Sequence, residues 1–231
     1  MEKDQQTEQS LIISYLTLRK TIGILGIALP FVLFLGALLI FREGIQSSIS
    51  SYYYTGMRDV FVGALWAIGI FLFSYRGYEP IDNITGNLGC LFALGVALFP
   101  TAPDVNPSDA QKVVGFFHMA FAALFFFTMI FFSLFLFTKT KPQIPPTRRK
   151  LQRNLVYRVC GYLMILCVVL MTLYYMLPKS WTAPFVPYNP VFWLETLAIL
   201  SFGISWLVKG EAILKDEAAK ESLAESPSEN A

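Results

Sequence analysis

Histidine occurs once, cysteine three times, and charged side chains make up only 15% of the 231 residues. Each scarcity excludes something. A catalytic zinc takes three protein ligands rich in histidine, so a lone His118 without paired cysteines argues against a metallohydrolase, and no metal is expected. Cys90, Cys160 and Cys167 all fall inside apolar runs, where cysteine behaves as a small buried hydrophobe and not as a disulfide partner. No phosphate-binding glycine loop, cofactor fingerprint or nucleic-acid module is present. Neither a cofactor nor a nucleic-acid partner is expected. The low charge also excludes an ordinary soluble domain, which carries about 25% charged residues.

Apolar residues fill the space instead, at 55% of the chain. A membrane span needs roughly 20 predominantly apolar residues, and six such stretches with short loops use up nearly the whole length. The fold class expected is therefore all-α, a polytopic six-transmembrane-helix bundle, in three parts: a cytoplasmic N-terminal segment (1–20), a transmembrane domain (21–208) and a cytoplasmic tail (209–231). The spans read as Thr21 to Phe41, with a kink at Pro30, Arg58 or Asp59 to Tyr75, Ile84 to Phe99, Val113 to Phe137, Val156 to Leu177 and Pro190 to Val208. Residues 11–20 suit a short interfacial helix ahead of the first span, and the Ala/Glu/Lys-rich tail suits a few further helical turns in water. Met1 to Ser10 lack a basic leader, so the first apolar run is expected to stay in the membrane.

Lys and Arg set the orientation. With the N-terminus inside, 14 of the 18 lie on the cytoplasmic side and 4 outside. The positive-inside rule then gives N-in, C-in, in an inner (plasma) membrane. The loop from Lys139 to Arg153 dominates that count and is a candidate for anionic-lipid contact. Helix association in lipid needs small residues at helical spacing. Gly89, Ala93 and Ala97, Gly63 and Ala67, and Ser201 and Ser205 supply such seams, which are assigned to the bundle interior.

Ionisable groups inside a membrane are expensive and mark candidate sites. Arg58 and Asp59 open the second span from outside, while His118 and Glu195 lie in the first turns of the fourth and sixth. The first outer loop adds hydroxyls from Ser47 to Thr55, including Ser51 and Tyr54, and the second adds Asp104 and Asp109. Taken singly, each has a structural role open to it: Asp59 at a helix N-terminus, Arg58 snorkelling, Tyr52 to Tyr54 in an aromatic belt. Their coincidence at one depth on three helices points to an outer-facing polar pocket lined by Ser51, Tyr54, Arg58, Asp59, His118 and Glu195. A buried carboxylate such as Glu195 needs a partner.

Four local patterns, SSYYYTGMRDVFVGAL, DNITGNLGCLFALGVALFP, His118 followed by small residues, and WLETLAILSFG around Glu195, give the chain a family look. It resembles the superfamily of FGF-receptor-activating and damage-regulated autophagy modulator proteins and their bacterial relatives. Arg58-Asp59 stands where that family has a Pro-Glu pair, and Trp193 precedes Glu195 where the family places a Trp just after it. The resemblance implies a connection to lipid handling, with membrane lipids as partners. The function expected is the binding or sensing of a lipid or small polar ligand at the outer pocket. The alternative is a metal-free lipid hydrolase or acyltransferase built from Ser50 or Ser51, His118, and Glu195 or Asp59. A transporter is disfavoured by the lack of an internal repeat and of midplane charges.

Overall fold

A computed structural model describes residues 2–77, 79–140 and 145–215, with side chains from residue 15 onward. Among these residues the chain is helical and contains no strand. Helix α1 (Glu2–Gly36) passes through Pro30 unbroken and loosens into a π-helical turn, Ala37–Phe41, closed by Arg42 at φ 58°. The expected interfacial helix at 11–20 is not separate. It is continuous with the first span, because no glycine, proline or cap signal interrupts the chain there.

Helix α2 spans Arg58–Ser74 and α3 spans Pro80–Leu98. Proline fits the first turn of α3, where its missing N–H is no loss, and Glu79 and Asp82 form a reciprocal cap. Ser108 and Gln111 cap α4 (Asp109–Phe131) in the same way, and a second π turn, Phe132–Leu136, ends it. Thr147, just beyond the Pro145-Pro146 pair, accepts from the Lys150 amide to start α5 (Arg148–Met176). A short helix α6 (Lys179–Thr182) and a 3-10 segment, Ala183–Tyr188, lead to α7 (Pro190–Lys209).

Five segments are long and apolar enough to cross a membrane: Tyr15–Phe41, Pro80–Leu98, Asp109–Leu136, Arg148–Met176 and Pro190–Lys209. Their outward faces are apolar; Phe116 is 70% exposed and Phe127 67%. Water would not tolerate so continuous an apolar surface. Helix α2 is as apolar as its neighbours but has 17 residues, about 26 Å at 1.5 Å per residue.

The six long helices close a ring. Helix α1 packs on α2 and α7, α3 on α2 and α4, and α5 on α4 and α7. Tyr75, Phe132, Phe137, Tyr157, Phe202 and Trp206 fill one half of the interior, and Leu33, Tyr52, Met57, Phe61 and Phe192 the other. Backbones approach closely between α1 and α7. A Cβ on Gly203 would lie 2.8 Å from the Gly23 carbonyl oxygen, and one on Gly210 would lie 2.8 Å from the Lys20 amide nitrogen. Glycine is required at that seam, which small-residue spacing alone did not single out.

The anticipated seams fare differently. Gly89 packs against Leu72 and Met129, and Ser205 takes a hydrogen bond from Ser133 at 2.9 Å in the buried interior. Gly63 faces open space, where an added methyl would find nothing within 4 Å. The last helix also ends earlier than its composition suggested. Gly210 caps α7, and Glu211 turns away at φ 59°. Glu211 then reaches back to the buried Arg153, at 3.8 Å, so it is no free tail residue; 216–231 lie outside the described residues.

Candidate functional site

The first loop, from Gly44 to Met57, is built around a 3-10 turn, Ser50–Tyr54. A short helical turn leaves its first amides without partners. Glu195, in the second turn of α7, supplies one: its Oε2 accepts from the Ile49 amide at 2.5 Å, with the Ser50 amide also directed at the carboxylate. The Phe192 amide donates to the Ser47 carbonyl at 3.1 Å. Glu195 is thus the partnered carboxylate that its position demanded, and the partner is backbone rather than a second side chain.

Two further bonds tie this loop to the one between α3 and α4, and two more knit it internally. Ser47 Oγ donates to Asp104 at 2.7 Å, and the Tyr54 hydroxyl donates to the Thr101 carbonyl at 2.6 Å. Burial pushes the Tyr54 phenol up, aided by Tyr53 and opposed by Arg58; Tyr54 therefore stays a neutral donor at physiological pH. Ser51 Oγ is shared between Ser47 Oγ at 2.9 Å and Ser48 Oγ at 2.8 Å.

Beneath these loops lies a cavity of about 230 Å³. His118 from α4, Thr172 and Tyr175 from α5, Glu195 from α7, and Ser48 and Ser50 from the loop give it polar groups, and Met119, Phe126, Val168 and Met171 give it apolar walls. His118 is buried, and its Nδ1 donates to the Phe99 carbonyl at 2.6 Å. A carbonyl can only accept, so the proton sits on Nδ1 and the neutral ring keeps Nε2 as an acceptor. A smaller apolar cavity, about 50 Å³, adjoins it, and Glu195 and Ser50 line both.

Of the six residues singled out in the sequence, the cavity therefore takes two, His118 and Glu195. Ser51 is buried behind Ser48, and Tyr54 sits outside on the loop with its hydroxyl on Thr101, a lining residue. Arg58 is exposed and lies over the Tyr53 ring at 4.4 Å, donating to its hydroxyl at 2.7 Å. Asp59 is exposed in the first turn of α2, where a negative charge suits the helix dipole. Neither lines the cavity, because the helical phase of α2 turns both outward while Phe61 and Leu65 turn in.

Sequence reasoning missed Ser48, Thr172 and Tyr175, and named Ser50 only as an alternative to Ser51 in the hydrolase reading. The loop pair stood next to Ser51 and was visible as part of the hydroxyl run. Thr172 and Tyr175 sit one turn apart near the C-terminal end of α5, a spacing that could have drawn notice. Among the described residues no group of histidine, cysteine and acidic side chains could hold a metal ion. Comparison of the chain with known protein families, curated proteins and solved structures gave no match.

Proposed function

We propose that this is a six-span membrane protein, N-in and C-in, that binds or senses a lipid or small polar ligand in the cavity between α4, α5 and α7. The single observation that carries the reading is the meeting of His118 and Glu195, from two helices, on one cavity with hydroxyls above and apolar walls below. An amphiphile matches that division. Its head would meet the His118 Nε2 acceptor, the Glu195 carboxylate and the serine hydroxyls, and its chain the methionine and phenylalanine walls. Glu195 lines the cavity and no Lys or Arg does, so the lining suits a head that carries hydroxyl or amine donors rather than an anionic one.

Two observations support the sixth span and the orientation. Helix α2 begins beside the outer loop and ends at Tyr75, packed on Trp206 and Phe132 at the opposite end of the bundle, so it runs the same depth as its neighbours. The 14 to 4 division of basic residues supports the rest. The hydrolase alternative draws less support. It needs a serine on the histidine, whereas Ser51 bonds to Ser47 and Ser48, His118 bonds to the Phe99 carbonyl, and Ser50 lines the same cavity without a hydrogen bond to His118.

The test is mass spectrometry of lipids retained by protein extracted in native nanodiscs, comparing wild type with Glu195→Gln. A bound amphiphile enriched in the wild type and depleted about tenfold, equivalent to 1.4 kcal/mol, in the variant is the expected result. Equal recovery from both would overturn the site. Reporter fusions after Lys150 and within 101–110 should read cytoplasmic and external respectively; the reverse would overturn the orientation.

A further inference from the structure

The end of the bundle opposite the cavity gathers basic residues from three helices onto an aromatic floor. The Arg19 guanidinium, from α1, lies over the Tyr15 ring at 5.0 Å and the Tyr75 ring at 5.4 Å. Lys209 Nζ, from the last turn of α7, lies over the Phe137 ring at 5.2 Å. Lys150 Nζ, from α5, donates to the Phe137 carbonyl at 3.0 Å. Arg153, one turn further along α5, is close to the Tyr157 hydroxyl. Tyr75, Phe137 and Trp206 touch edge-on, with centroids 5.1 to 5.2 Å apart, so these positions share one floor. The charges of Arg19, Lys150 and Arg153 all bear on Lys209, against one carboxylate, Asp82.

The carboxylates nearby are already engaged. Lys139 takes Glu79 at 2.9 Å and Asp82 at 3.6 Å, and Glu211 faces Arg153. Among the described residues Arg19 and Lys209 make no ion pair or hydrogen bond, and the Arg19 Nε is fully buried with no acceptor. Aromatic faces and the α7 C-terminus partly offset two such charges. Neither supplies an oxygen to the guanidinium or ammonium donors. A buried donor without an acceptor costs the desolvation of that group, and an assembly of mutually repelling cations adds to it.

We propose that Arg19 and Lys209 form a binding site for a phosphate anion at this end of the bundle, with Lys150 and Arg153 reinforcing its field. A phosphate offers several acceptor oxygens, enough for a planar guanidinium and a point-charge ammonium together. The same chemistry reaches this depth in two forms, the phosphate of an anionic lipid headgroup and free inorganic phosphate. The Gly210 approach to Lys20 holds the site together, since it brings the end of α7 against the α1 backbone from which Arg19 projects. The site is separate from the outer cavity and does not depend on what that cavity binds.

The experiment uses the full chain in three settings: nanodiscs of phosphatidylcholine alone, nanodiscs with added phosphatidylglycerol, and phosphatidylcholine nanodiscs in inorganic phosphate against chloride at equal ionic strength. The readouts are Tm and lipid or phosphate adducts in native mass spectrometry. Phosphatidylglycerol should raise Tm and leave adducts if the ligand is a headgroup; phosphate should do so over chloride if it is the free anion. Either outcome supports the site and names its source. Arg19→Gln and Lys209→Met should each lower adduct occupancy about tenfold or more and abolish the rise. Lys209→Met removes an uncompensated cation at constant bulk, so it should fold, with a Tm in phosphatidylcholine equal to or above that of wild type. Arg148→Gln, which removes an exposed cation at the same end, should keep the rise. No rise with either anion overturns the proposal, as does a rise that survives in both site variants or is lost equally in Arg148→Gln.

Discussion

Glu195 and Ile49, 146 residues apart, are joined by a 2.5 Å hydrogen bond from the loop amide to the helix carboxylate. One carboxyl group in the last span thereby fixes the start of the first loop's 3-10 turn, and the cavity roof depends on it. Replacing Glu195 by Gln keeps one acceptor oxygen but turns an NH₂ toward amides that also donate. A stability loss of about 1 to 3 kcal/mol is expected, read as a fall in Tm in nanodiscs. Glu195→Ala removes both acceptors and should also open residues 45–56 to limited proteolysis. If Glu195→Ala leaves Tm and the proteolysis pattern as in wild type, the carboxylate does not hold the loop.

His118 separates packing from ligand contact. Its Nδ1 meets the Phe99 carbonyl at 2.6 Å, and an asparagine amide nitrogen can occupy nearly the same place. His118→Asn should therefore retain most of the stability while removing the Nε2 acceptor from the cavity. His118→Leu leaves the buried carbonyl unpaired and should cost about 1 to 3 kcal/mol. Equal Tm values for the two variants would show that the bond to Phe99 carries no weight.

The three thiols give a chemical check on burial. Cys160 and Cys167 are buried and Cys90 half-buried, none in a disulfide. Alkylation of the folded protein should be slow at all three, and slowest at Cys160 and Cys167, while unfolding without reductant should expose three free thiols. Rapid modification of Cys167 in the folded state would contradict the packing of α5.

Helix positions were legible because each span is a long apolar run, as Pro190 at the start of α7 illustrates, whereas α5 starts at Arg148, ahead of the expected Val156, because Thr147 caps a basic first turn. The helical class followed from the same runs. What the sequence hid was rotation about each helix axis. Arg58 and Asp59 lie at the right depth beside the first loop yet point away from the bundle, because depth follows from counting residues whereas the facing direction follows from which neighbour α2 packs upon. Tyr175 shows the converse, a residue near the end of α5 that drew no notice in the sequence and lines the cavity. Glu195 stood out by the cost of its burial, but nothing local could name Ile49 as its partner across 146 residues.

The same lesson about rotation yields the sharpest contrast among small residues. Gly203 and Gly63 both sit inside apolar helices, and spacing alone ranks Gly63, with Ala67, as the better seam. The geometry reverses that order. A Cβ at Gly203 would meet the Gly23 carbonyl oxygen at 2.8 Å and Ile27 at 2.6 Å, whereas one at Gly63 meets nothing within 4 Å. Gly203→Val must therefore push α1 from α7, and overpacking of this kind costs about 1 to 3 kcal/mol or more. Gly63→Ala adds no clash and restricts the unfolded backbone, so it should be neutral or stabilise by up to about 1 kcal/mol. Thermal unfolding of the two variants in identical nanodiscs gives the comparison directly. A Gly203→Val protein as stable as wild type would mean that α1 and α7 do not meet at these glycines, and a marked loss in Gly63→Ala would place a partner on the face of α2 that here is open.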